Sequence, residues 1–164
     1  MKKILCIIMA VVVFSSIISN CYALDTALFD MRNKLFDASK KISKTMQTSK
    51  DVVFLTTMFD SCLIATSQLD AYFSMLDIFN SIKKEDVTEV ALNAINKWLL
   101  EVKASDSLNI KSLDSITTQA IEKTTKDYIG SLKSSFESLN NQIDVEISKI
   151  VLLKKASRLP KGKK

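Results

Sequence analysis

The side chains that could do chemistry are few, and their spacing argues against catalysis. The 164-residue chain has no histidine. It therefore lacks the commonest general base and the commonest zinc ligand. Its three cysteines are Cys6, Cys21 and Cys62, too few and too scattered for a thiolate metal cluster. Two glycines and one proline leave no phosphate-cradling Gly-rich loop and no Gly-x-Ser-x-Gly elbow. Asp70 and Asp77 share one helical face, but a di-metal carboxylate bundle also needs paired Glu-x-x-His units. They read as part of an exposed polar stripe. No enzyme, no cofactor and no metal is expected.

The one chemically distinctive stretch is the C-terminal segment 154–164. It holds Lys154, Lys155, Arg158, Lys161, Lys163 and Lys164 with no acid, while Pro160 and Gly162 oppose a helix. Such a tail is a candidate for anionic ligands: lipid headgroups, sulfated glycans or nucleic acid. A solubilising end is the plainer reading. All 18 acidic residues fall between Asp25 and Glu146, so the +5 charge of the whole chain belongs to its two ends.

At the other end, Met1-Lys2-Lys3 precedes a mostly apolar run from Ile4 to Ile18 and then Ser19-Asn20-Cys21-Tyr22-Ala23. A short basic start, an apolar stretch too short for an easy bilayer crossing and a small-residue site make a secretory signal peptide. Two processing readings stand side by side. Cleavage between Ala23 and Leu24 leaves Cys62 as the sole mature cysteine. The other reading takes Ile18-Ser19-Asn20-Cys21 as a lipobox in which Cys21 is lipidated, although Asn20 departs from the usual small residue. Export of a bacterial chain to the periplasm, the medium or a lipid anchor at the cell envelope follows.

Between the ends, the scarcity of Gly and Pro predicts a few long helices with short joints. Leu24, Leu28, Met31, Leu35, Ala38 and Ile42 step by three and four and form one stripe on a first helix, 24–48. The lysines beside it, Lys34, Lys40, Lys41 and Lys44, read as a solvated face. Ser49 is the expected N-cap of a second helix, with Leu55, Met58, Cys62, Ala65, Leu69, Tyr72, Leu76 and Phe79 as its stripe. Further apolar residues spread round this helix, which places it centrally in its bundle. A third helix, 87–103, carries Val87, Ala91, Ala94, Trp98 and Val102 as its main stripe, supported by Ile95 and Leu99. Residues 104–111, rich in Ser, Asp and Asn, read as a loop. A fourth helix begins at Ser112 or Asp114 and reaches Leu153, with Ile121, Tyr128, Leu132, Leu139, Ile143 and Ile150 at an eleven-residue period. Gly130 within it predicts a kink or a close helix approach.

The expectation is an all-α protein: a signal peptide over 1–23, an antiparallel bundle of about four helices over 24–153, and a basic tail over 154–164. Its expected role is a non-catalytic envelope protein that binds or scaffolds another protein or itself. The alternatives are a surface lipoprotein adhesin gripping anionic glycans or lipid through the tail, and a membrane-active or self-associating helical protein. Nucleic acid is the least expected partner of an exported chain.

Overall fold

The computed structural model describes residues 26–82 and 89–157. The leader with Cys21, Ala23 and Leu24, and the tail residues Arg158, Lys161, Lys163 and Lys164, lie outside them. The described residues form four helices and no strand: α1 Thr26–Met46, α2 Val52–Ser81, α3 Glu89–Thr117 and α4 Lys123–Ser157. Each helix packs against its neighbour in the chain, and α1 closes the ring against α4. Helix α2 also reaches α4 across the middle, whereas α1 and α3 do not meet among the described residues. Central placement of the most apolar helix follows from its composition, since only interior neighbours can cover a stripe that wide.

The core repeats in steps of three and four. Helix α1 buries Leu28, Leu35, Ser39 and Ile42, and α2 buries Leu55, Met58, Cys62, Ala65, Leu69 and Tyr72. Nearly all of the residues expected on these two stripes are buried or half-buried against the core. Cys62 is fully buried, and burial pushes its thiol up to about 12, so it packs as a small hydrophobe and stays protonated.

The second half of the chain corrects the sequence reading. Residues 104–111 are helical, and α3 runs unbroken to Thr117. Its buried positions are Leu92, Ile95, Leu99, Val102, Asp106, Leu113 and Ile116, a heptad series in which the spacing continues through a carboxylate. Of the residues expected on this helix, Ile95, Leu99 and Val102 are buried, Ala91 and Trp98 are half-buried and Ala94 is exposed. The stripe is therefore centred on the Ile95 and Leu99 side, and Val87 lies outside the described residues. The turn falls at 118–122, and α4 starts at Lys123, not Ser112 or Asp114. Ile121, expected in the core, is 74% exposed in that turn. Helix α4 buries Thr125, Ile129, Leu132, Phe136, Leu139, Ile143, Glu146 and Ile150. Those steps are four and three in strict alternation, so the repeat is seven residues and not eleven. Nothing lies within 4 Å of a Cβ built on Gly130, which rules out a close approach there. The helix also continues to Ser157, which places Lys154 and Lys155 in its last turn.

The turns between α1 and α2 and between α3 and α4 hold each other. The Asp51 carboxylate accepts the backbone N–H of Ile121 at 3.1 Å and of Glu122 at 2.8 Å. In return the Glu122 carboxylate accepts the Lys50 N–H at 3.1 Å and the Ser49 hydroxyl. Ser49 Oγ also accepts the Asp51 N–H at 3.0 Å. Asp51 therefore serves the start of α4, and it is Asp51 rather than Ser49 that occupies the N-cap position of α2, without a side-chain cap bond there. The donated Glu122 N–H is the main reason that the Asp51 carboxyl is held below its ordinary value.

Candidate functional site

Two departures from ordinary bundle design single out residues for function. One is apolar surface left outside the fold, and the other is a carboxylate left inside it.

Helix α2 carries more of the exposed large apolar side chains than any other helix, with further ones on α3 and α4. Val53 is 74% exposed, Ile64 50% and Ile78 65%. At about 100° per residue these three fall within about 40° of one another on the helix, so they form one outer stripe, with Asp60 on the same side. Val52, Phe59 and Leu63 occupy the flank turned toward α1. By length and composition α2 could cross a membrane, but the central helix of a bundle has the same character.

Where that flank meets α1 lies a groove of about 410 Å³, open to solvent. Phe36, Phe59 and Leu63 give it an apolar floor. Ser39 and Ser43, four residues apart on α1, keep one wall low, and Lys40 and Lys44 stand at the rim. On α1, Ser39 takes a buried stripe position that a larger side chain could fill, while Ser43 is exposed. The Ser39 hydroxyl is turned back onto the Phe36 carbonyl at 2.7 Å, so it leaves the space unfilled. Phe36 lies between two cations, with the Arg32 guanidinium 5.0 Å and the Lys40 ammonium 4.2 Å from its ring centre. Above the groove the seam is closed by the Arg32–Asp70 fork at 2.9 and 3.0 Å and by Phe29 against Phe73 at 5.7 Å. Lys40 approaches Asp37 at 3.7 Å. No acidic residue lines the groove itself.

The interior carboxylate is Asp106. It is fully buried, and neither oxygen has a hydrogen-bond partner. Burial raises its pKa to about 7. Asn109 Nδ2 and Asn140 Oδ1 are also buried and unbonded. Asp106 and Asn109 lie between Lys103 and Asp114 on α3, and Asn140 lies between Lys133 and Asp144 on α4. The ion pairs Lys103–Asp144 and Lys133–Asp114 bracket this polar stretch.

Of the residues singled out from the sequence, Asp70 is taken up by Arg32 and Asp77 is exposed. The Trp98 indole N–H donates to the Gln68 carbonyl at 3.0 Å, joining α3 to α2. Among the described residues no group of three or more Cys, Asp or Glu side chains could hold a metal ion. The groove escaped sequence reading because its lysines look like any solvated face. Phe36, an aromatic off the main stripe and one position after Leu35, was the available signal.

No protein-family model matches the chain, and no curated protein or solved structure is similar to it.

Proposed function

We propose that the chain is a non-catalytic, exported protein of the bacterial cell envelope, an antiparallel helical bundle that binds or scaffolds another protein. The observation that carries this reading is the lysine-rimmed groove beside the exposed apolar flank of α2. A folded domain gains nothing in stability from apolar side chains held in water, and exposed apolar residues such as Val52 and Leu63 beside a groove suit an interaction surface. The leader of residues 1–23 supports export. The antiparallel arrangement is supported by the order of the cross-helix pairs: Lys103 meets Asp144 and the later Asp114 meets the earlier Lys133.

Photo-crosslinking in the native host tests the binding role. A photoreactive residue at position 63 is expected to capture a discrete protein adduct, while the same residue at Leu108, exposed on α3, captures none. Equal labelling at the two positions, or none at either, would refute it. The intact mass of the chain from the same cells reports its place. A chain starting at Leu24 is soluble after export. One starting at a diacylated Cys21 is tethered, and the adhesin reading with its basic tail then takes precedence.

A further inference from the structure

We infer that the groove between α1 and α2 receives an amphipathic helix of the partner protein, one whose apolar stripe is flanked by acidic side chains. The inference rests on the protein-binding reading and names the chemistry of the partner's segment.

Shape favours a helix. The α1 wall runs from Phe36 to Lys44, about 12 Å at 1.5 Å per residue, which matches two turns of a docked helix with anchors at i, i+4 and i+7. Small-molecule sites bury most of their ligand, whereas this groove is open to solvent. The small, exposed Ser43 allows a backbone to approach closely on the α1 side, and Phe36, Phe59 and Leu63 offer rings and a branched chain to apolar anchors.

Charge decides the flanks. Lys40 and Lys44 are one turn apart on the same rim, and Lys44 has no acidic partner among the described residues. Two ammonium groups with no acid in the lining favour carboxylates at matching spacing and disfavour a basic helix. A bilayer surface fits less well, because Asp60 and Asp70 are exposed on α2, and each carboxylate resists insertion into hydrocarbon.

The test uses the chain purified from cells expressing the full sequence. Its ligands are labelled peptides of about 18 residues, long enough for two docked turns with fraying ends. One carries Leu at i, i+4 and i+7 with flanking Glu, and its twin carries Lys at the flanks. Fluorescence anisotropy is expected to show the Glu peptide binding at least about tenfold more tightly than its twin. The double variant K40E/K44E is expected to reverse that preference, and Leu63→Glu to weaken the Glu peptide about tenfold. Lys97→Glu on α3 should leave binding unchanged, with circular dichroism confirming that every variant is folded. Equal binding of the two peptides overturns the inference, as does no binding of either. Groove-dependent binding of phosphatidylglycerol vesicles in place of the peptide overturns it in favour of a lipid surface. If the crosslink from position 63 survives K40E/K44E, the protein-binding reading stands and the acidic-helix inference fails.

Discussion

Helices α2 and α3 depart from ordinary bundle design in different places. Helix α2 carries more apolar residues than its neighbours can cover, and the surplus faces water at Val53, Ile64 and Ile78. Helix α3 also exposes apolar residues, Val90, Leu100 and Leu108, but its departure lies inside, where the heptad passes through Asp106 in the dry interior. The first departure costs the fold little, since an exposed apolar side chain forfeits only a gain it could have made. The second costs a great deal, since a buried carboxylate without a partner must stay protonated or lose its hydration. The lesson concerns where to look for function. A surplus outside can be used by a partner without disturbing the bundle, whereas a polar group inside ties the bundle's stability to pH.

The largest test of that contrast compares inside with outside directly. Phe136 is fully buried in α4, and Phe136→Ala should cost about 3–5 kcal/mol in denaturant unfolding. Ile64→Ala on the outer stripe should stay within about 0.5 kcal/mol. Similar costs for both would erase the distinction between the two surfaces.

Asp106 gives the next largest effect. Its folded pKa of about 7 lies above the ordinary 3.8. Protons are therefore held more tightly in the folded state, and the associated stability is complete below pH 4 and is lost as pH rises toward 7. The slope reaches about 1.4 kcal/mol per pH unit for one such group. Asp106→Asn, which cannot ionise, should flatten the profile between pH 4 and 7. At pH 8 it should be more stable than the parent by about 2–4 kcal/mol. Parallel profiles for parent and variant would mean that the carboxylate is solvated or paired in solution.

Asp51 has the opposite sign. Its carboxyl is held below its ordinary value by the Glu122 and Ile121 N–H groups. Its contribution is present above the ordinary carboxylate range and disappears as pH falls through the lowered folded value. Asp51→Ala should lower Tm at pH 7 and remove part of the acid limb of the stability curve. An unchanged acid limb would show that the two turns are not locked through this residue. Gly130→Ala is the smallest change, a gain of up to about 1 kcal/mol in an exposed helix position with open space for the methyl group.

Much of the fold was legible in the sequence where polar and apolar residues respected the heptad. The stripes of α1 and α2 were readable because nothing polar larger than serine or threonine interrupts their buried positions. The second half was misread for the same physical reason that makes it interesting. Asp106 and Asn109 stand where apolar residues belong, so a continuous helix resembled a loop. Thr125 and Glu146 interrupt the α4 heptad, while Ile121 offers a false apolar position in the turn. That turn, 118–122, contains neither Gly nor Pro, so nothing local announced it. Asp51 stabilises it from a distant turn, and Glu122 returns the contact to Ser49 and Lys50, which no window of sequence reveals. The groove is a cavity between helices, and only packing creates it from Ser39, Ser43 and two ordinary lysines.

The central claim is that the outer face of α2, beside the proposed partner groove, contributes little to the stability of the fold. Equilibrium unfolding of the triple variant Val53→Ser, Ile64→Ser, Ile78→Ser measures this most directly. The account predicts stability within about 1 kcal/mol of the parent, with an unchanged helical spectrum. A loss of more than about 3 kcal/mol, the scale of a core truncation, would show that this face is buried by the chain itself and would contradict the claim.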